Sequence, residues 1–298
     1  MTQDRYALVT PAKNEEGFIE NTIEAVLSQT CLPEKWVIVS DGSTDRTSEI
    51  AAAYAERHSF IQLVRTQALG KPAKNFGSKV RAFRGGYREL RDTPHEFVGN
   101  LDADVTFDRD YFEQILSRFR ENPKLGLAGG IIVQRSGNGF VAQHMSLNSV
   151  AGAVQLFRRE TYEAFGGYIA IEGGGIDAAA EIMTRMHGWQ VQTFPEIHVR
   201  HHRRVSTGGA TALGTTFRQG ITNYRLGYHP AFQVVSCLSR SIDRPYLVGS
   251  MSTFLGYCWA FVKNYERAMP DGVIEYLRSE QTARIISSFA PSKTSQSH

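Results

Sequence analysis

The spacing of hydrophobic positions changes period several times along the chain. Tyr6–Thr10 is a short apolar run, and Ile19, Ile23, Val26 and Leu27 then recur at helical spacing. Trp36–Ser40 reads as a second strand. The turn Asp41-Gly42-Ser43-Thr44 follows, with hydroxyls suited to capping a helix through Ile50 and Tyr54. Ile61–Val64 reads as a third strand, 73–91 as a long basic helix and Phe97–Leu101 as a fourth strand. Phe112, Ile115, Leu116 and Phe119 then fall on one helical face. Strands alternating with helices predict an α/β fold with a mostly parallel sheet and helices on both faces.

Past residue 125 the pattern loosens. Gly126–Val133 and Gly152–Phe157 read as strands, with glycine-rich connections at Gly166-Gly167 and Gly173-Gly174-Gly175. Ile176–His187 reads as a helix, and from about 211 the chain reads as helical, including 271–289. This division predicts three parts: an α/β domain over 1–209, a helical region over 210–290 and a disordered tail over 291–298.

Pro245–Val262 carries no charge, and Arg240, Arg244, Lys263 and Arg267 flank it. A span needs about 20 apolar residues. Ser250, Ser252 and Thr253 dilute this stretch, so a buried or interfacial helix is expected rather than a span. Contact with a membrane surface, or pairing of two copies through the C-terminal helices, is the expectation for this region.

Composition narrows the class. The chain has 298 residues, 42% of them hydrophobic and 21% charged, which suits a substantial core rather than a disordered chain. A net charge of +3, with no Lys/Arg block, excludes a nucleic-acid reading. Cys31, Cys237 and Cys258 are far apart and form no CxxC pair, so neither a zinc site nor a disulfide framework is indicated. Together with the lack of a signal-peptide pattern, this gives a cytoplasmic expectation, with the inner membrane face as the variant.

Three polar clusters fall at the carboxyl ends of the expected strands: Pro11–Glu15, Asp41–Ser43 and Asp102–Asp104. Ligands of open α/β sheets bind at those ends. Asp102-Ala103-Asp104 is either a solvated turn or a site for a hard cation such as Mn²⁺ or Mg²⁺, which uses one or two carboxylates together with phosphate oxygens. Asp41 is placed to accept hydrogen bonds from a ribose or base. Lys71, opening the third helix, suits an anion, although a solvated lysine is the ordinary alternative. Asp177 follows three glycines at the start of a helix, as an N-cap or as a carboxylate facing substrate. Glu181 is one turn on. His198, His201 and His202, with Arg200, Arg203 and Arg204, form either a solvated basic loop or a source of a metal ligand and phosphate-neutralising charge.

Taken together, these stretches resemble the family-2 inverting glycosyltransferases of GT-A fold. Thr10–Glu16 resembles the opening strand and turn of that family. Val39–Asp45 resembles its nucleoside-binding motif, and Leu101–Asp104 its DxD. Phe165-Gly166-Gly167 and Gly173–Asp177 resemble the region of the catalytic base, and Arg185–Trp189 the end of the helix after it. The likeness covers roughly residues 5–205. The C-terminal part, with Tyr224–Pro230, resembles bacterial members that build cell-surface polysaccharides.

The resemblance implies a nucleotide-diphosphate sugar as donor and a saccharide or lipid-linked acceptor. It implies Pro11, Ala12, Lys13, Glu15, Asp41, Lys71 and Asp102 as donor contacts, Asp104 with Asp102 and His201 as metal ligands, and Asp177 as general base. Two departures stand out. Ile176 occupies the place where a Glu often precedes the base. The Gln-x-x-Arg-Trp of processive synthases is absent around Arg218–Tyr224, which favours single transfer. An inactive nucleotide-sugar binder is the first alternative, kept open by Ile176. The second is a haloacid-dehalogenase-type phosphatase with Asp102 as nucleophile, but such enzymes normally open on the DxD strand.

Overall fold

A computed structural model describes residues 4–66, 76–136, 139–142, 146–171, 173–203, 212–239 and 246–289. Lys71 and the expected tail over 291–298 lie outside them. The chain divides into two compact units, Met1–Val205 and Ser206–His298.

The first unit opens with β1 (Tyr6–Ala12), α1 (Ile19–Leu27), β2 (Lys35–Asp41), α2 (Thr47–Ala55), β3 (Ile61–Thr66), α3 (Phe76–Arg88) and β4 (Phe97–Leu101). It continues with β5 (Val105–Phe107), α4 (Tyr111–Glu121), β6 (Leu125–Ser136), β7 (Gly139–Ala142), β8 (Val154–Arg158), α5 (Arg159–Ala164), α6 (Ile176–Met186) and β9 (Gln190–His201). Eight strands lie in the order β3-β2-β1-β4-β8-β6-β9-β5, and β7 pairs with β6.

The pleat of the strands explains the two covered faces. Leu8, Trp36 and Ile38 point to one side, into a core with Ile19 and Ile23 of α1 and Phe112, Ile115 and Phe119 of α4. Val9, Val37 and Val39 point to the other, under α3. Gly86 lets that helix lie close, because a Cβ there would sit 2.6 Å from Val9 Cγ1 and 2.8 Å from Val39 Cγ2.

The sheet is mixed rather than mostly parallel. Strands β1 to β4 run parallel, but β8 is antiparallel to β4 and β6, and β5 is antiparallel to β9. The strand expected from Gly152 starts at Val154. The hydroxyls of Ser43 and Thr44 do not cap α2; Asp45 Oδ1 accepts the Thr47 N–H instead, at 3.0 Å. The segment ending in His201, open between a solvated basic loop and a source of ligands, is the end of the long strand β9. Pro195 interrupts its alternating pattern, and pairing with β6 and β5 orders it.

The second unit contains α7 (Ala212–Leu226), α8 (Pro230–Ser239), α9 (Tyr246–Val262) and α10 (Asp271–Phe289). Helices α7 and α9 touch backbone to backbone: a Cβ at Gly220 would run into the Thr253 carbonyl, and one at Gly256 into the Phe217 carbonyl. Among the described residues no helix is long and apolar enough to cross a membrane. Nor is α9 a buried helix, since Leu247, Met251, Leu255 and Val262 are exposed.

Candidate active site

Two cavities adjoin at the carboxyl ends of the first strands. The outer one, about 180 Å³, is walled by Pro11, Ala12, Lys13, Glu15 and Asp41 on one side and Ser78, Lys79, Asp102, Ala103 and Asp104 on the other. The inner one, about 250 Å³, is lined by Asp177, Ile176 and Gly175 together with Phe83, Asn100, Gly152, Gln155, Tyr168 and His201. Lys79 and Asp102 line both. Every sequence-expected donor contact except Lys71 therefore borders the outer cavity, while Asp177 and His201 border the inner one.

The outer rim is clipped together by side chains. Asn14 has φ 56°, in the left-handed region that asparagine tolerates. Its Oδ1 accepts the Thr44 N–H at 2.8 Å, and the Glu15 N–H donates to Thr47 Oγ1 at 2.7 Å. These bonds tie the turn after β1 to the turn after β2. Asp41 Oδ1 accepts from Thr66 Oγ1 at 3.0 Å, which orients it at the end of β2.

Asp102 is not held by solvent. Lys79 Nζ lies 2.5 Å from its Oδ1 and 3.4 Å from the Gly152 carbonyl. Burial pushes the Asp102 carboxyl up, against the pull of the Lys79 ammonium, and the Asp104 charge adds to the rise. Lys79 was not legible as a site residue. On sequence it is one of several basic positions on α3, and its partner is far away in the chain.

Asp104 faces the end of β9. The antiparallel pairing Val105↔His201 brings His201 Nε2 to 3.2 Å from Oδ1, and Arg203 Nε to 3.3 Å from Oδ2. Burial alone would raise the Asp104 carboxyl, but His201, Arg203 and Lys79 outweigh it and hold the group below its ordinary value. The Asp104 hydrogen bond in turn raises His201. Arg203 also pairs with Glu15. Glu15 is pushed up to about 7, first by burial and then by Asp104 and Asp102, with Arg203 opposing. The other basic candidates of this stretch lie apart from the cleft: Arg200 pairs with Asp108 at 2.9 Å, His202 with Thr106 at 2.8 Å, and His198 is exposed. Arg204 lies outside the described residues.

Among the described residues no group of three or more His, Cys, Asp or Glu gathers as a metal cluster. The donor chemistry still fits Mn²⁺ or Mg²⁺. Asp104 and His201 adjoin at the cleft, and such an ion completes its shell with phosphate oxygens and water. Asp102 is the weaker ligand of the three expected, because Lys79 already occupies its Oδ1.

Asp177 is the second residue of α6, not its N-cap. That position is Gly175, at φ 93°, after Gly173 and Gly174, which are also left-handed. Only glycine adopts this run without strain, and it turns the first residues of α6 into the inner cavity. Asp177 Oδ1 accepts the Ala178 N–H at 3.0 Å. Gly152 leaves room beside it, since a Cβ there would lie 3.2 Å from Asp177 Cβ and 3.3 Å from Oδ2. One turn on, buried Glu181 accepts from Ser149 Oγ and the Val150 N–H, both at 2.8 Å, and anchors the strip that ends at Gly152. Burial pushes Glu181 up to about 7, and the Asp177 charge adds to it.

Comparison with known proteins places this geometry. The family described as "Glycosyl transferase family 2" matches residues 7–168. A poly-beta-1,6-N-acetyl-D-glucosamine synthase of Staphylococcus epidermidis is 32% identical over 117 residues, 39% of this chain and 26% of that protein. The uncharacterized glycosyltransferase EpsJ of Bacillus subtilis is 29% identical over 116 residues, 39% of this chain and 30% of that protein. The match therefore spans about a quarter to a third of the length of these curated relatives. Among solved structures, the mannosyltransferase PcManGT of Pyrobaculum calidifontis, in complex with GDP-Man and Mn2+, superposes with TM-score 0.59 at 17% identity, covering 97% of this chain and 82% of that one. Staphylococcus aureus TarS 1-349 with UDP-GlcNAc superposes with TM-score 0.53 at 13% identity, covering 95% and 79%. At these identities the likeness is one of fold, the GT-A α/β architecture.

Proposed function

The chain belongs to glycosyl transferase family 2, and on that premise we propose that it is an inverting, single-transfer enzyme that moves a sugar from a nucleotide-diphosphate donor to an acceptor hydroxyl. Membership in that family sets the phosphatase alternative aside. The observation that carries the reading is the pair of adjoining cavities with Lys79 and Asp102 as their common wall. One cavity holds the expected nucleotide contacts, and the other holds Asp177 beside a glycine turn.

In this reading the nucleoside lies in the outer cavity against Asp41, with Pro11–Glu15 as its floor. The sugar passes the Lys79–Asp102 wall and lies in the inner cavity beside Asp177. Asp104 and His201 would hold Mn²⁺ or Mg²⁺, which would supply positive charge to a departing nucleoside diphosphate. Lys79 and Arg203 add fixed cations beside it. Asp177 accepts the proton of the acceptor hydroxyl as that oxygen forms its bond to the anomeric carbon. The bond from that carbon to the diphosphate breaks on the opposite face, which inverts the configuration. Tyr168 and Phe83 wall the inner cavity with apolar ring surface, which limits water there. The fold of the relatives solved with GDP-Man and with UDP-GlcNAc supports a nucleotide sugar as the ligand class.

The test is Asp177→Asn. We expect transfer from a nucleotide sugar to fall about 10²–10⁴-fold, the usual contribution of a general base, while calorimetry finds nucleoside-diphosphate affinity unchanged. Undiminished transfer by the variant would overturn the base assignment. A wild-type chain that binds nucleotide sugars but neither transfers nor hydrolyses them would establish the inactive-binder reading instead.

A further inference from the structure

Helix α9 is built inside out. Its small positions face α7: Gly256 and Thr253 meet the α7 backbone at Phe217 and Gly220, and Ala260 is fully buried. Most of its large apolar side chains face away, Tyr257 being buried against Tyr224. Leu247, Met251, Leu255, Trp259 and Val262 follow one another at helical spacing and are 62%, 60%, 55%, 47% and 76% exposed. A helix that turns its bulk outward and its glycines inward has the packing logic of helices in lipid, where small residues bring backbones together and apolar bulk needs no protein cover.

Length, end chemistry and charge decide what covers this face. At 17 residues, α9 is about 26 Å long, short of the roughly 30 Å hydrocarbon core, so a bilayer would be met at its surface and not spanned. Its C-terminal end carries the pairing of an interfacial anchor: Lys263 Nζ lies 5.0 Å over the Trp259 ring, and exposed Tyr265 follows. The sequence from 206 to 298 holds nine Lys/Arg against five Asp/Glu, so the positive charge of the chain is concentrated in the unit that bears the apolar face. In sequence, Arg240 and Arg244 precede α9 and Lys263 and Arg267 follow it, against Asp243 and Glu266 in the same flanks. A second copy of this chain packed on the same face would bring like charges together, whereas an anionic surface compensates them.

We propose that the outward face of α9 docks the protein on the surface of an anionic phospholipid bilayer. The inference goes beyond the transfer reaction and does not depend on it, so its test reads no activity. The full chain is mixed with vesicles of phosphatidylcholine containing phosphatidylglycerol, and with vesicles of phosphatidylcholine alone, and sedimented at low and high salt. Strong binding to the anionic vesicles is expected, weakened by salt. Met251→Glu/Leu255→Glu is expected to weaken it about tenfold or more, because two apolar side chains lose their burial. Helix content by circular dichroism and nucleoside-diphosphate affinity measured on the same variant should both stay unchanged, which shows that the two units are folded. In the unsubstituted protein, brominated lipids should quench a tryptophan signal that Trp259→Phe removes. Absence of binding to both vesicle types, or no quenching on bound vesicles, overturns the proposal. So does a stable dimer in sedimentation equilibrium that Met251→Glu/Leu255→Glu dissociates, because the face is then covered by a second copy.

Discussion

Lys79 Nζ lies 2.5 Å from Asp102 Oδ1, and these two side chains form the boundary between the two cavities. Burial raises the Asp102 carboxyl above its ordinary value, and the ammonium opposes that rise. It also stands where the proposed donor must cross from its nucleotide half to its sugar half.

Replacing Lys79 tests that position. Lys79→Met leaves Asp102 partly buried without its cation and removes a positive charge from the path of the leaving group. Turnover should fall about 10²-fold, the scale of losing one electrostatic contact to developing charge. Lys79→Arg should recover part of it, because charge returns without the compact geometry of the ammonium. Steady-state kinetics of the two variants check this; equal activities would show that only the fold needs the residue.

Removing divalent metal should weaken nucleoside-diphosphate binding, and Asp104→Asn should do the same with metal present. The expected loss is about tenfold or more, because the diphosphate would then face the Asp104 and Asp102 carboxylates without a compensating cation. Calorimetry with and without chelator measures it. Equal affinities would remove Asp104 and His201 from the metal role.

Gly152 is expected to be intolerant of a side chain for a local reason. A methyl group there meets Asp177 Cβ at 3.2 Å and Oδ2 at 3.3 Å, so the carboxylate must give by a few tenths of an ångström. Gly152→Ala should lower turnover about tenfold, since small displacements of a catalytic group cost rate steeply. Thermal unfolding should move by only a few degrees, which separates misplacement from unfolding.

Glu181 predicts a pH dependence of stability. Its folded pKa, about 7, lies above the ordinary carboxylate value, so the native state holds a proton that the unfolded chain releases. Its contribution is therefore fully present below the unfolded pKa and is lost as pH rises toward 7, at most about 1.4 kcal/mol per pH unit. Glu181→Gln keeps an acceptor for Ser149 and Val150 without the titration. Urea unfolding at pH 5 and pH 7.5 should show the wild type losing stability relative to this variant; parallel losses would refute the assignment.

Much of the framework was legible because it is local. Leu8, Val9, Trp36 and Val37 announce strands by their side chains, and Phe112, Ile115 and Phe119 announce a helix by spacing. Asp41 and Asp102 stand out because each ends an apolar run. The DxD turn and the glycine run before Asp177 needed only neighbours in sequence to be recognised as candidates. Lys79, the burial of Glu181 and the contact of Asp104 with Arg203 were not legible at that level, and His201 was joined to Asp104 only through the family resemblance. A lysine on a basic helix and a glutamate one turn after an aspartate look solvated until burial is known.

The amino-acid sequence by itself thus determined the alternation of strands and helices, the strand-end carboxylates and the uncharged run that became α9. Those follow from side-chain period, turn chemistry and composition, which act over a few residues. Tertiary structure alone decided that β5, β7 and β8 would run against the other six strands, that β9 would carry His201 to Asp104, that Lys79 rather than a neighbouring cation would meet Asp102, and that α9 would turn its bulk outward. Each of these depends on contacts between segments distant in the chain, where packing and desolvation, not local propensity, choose the partner.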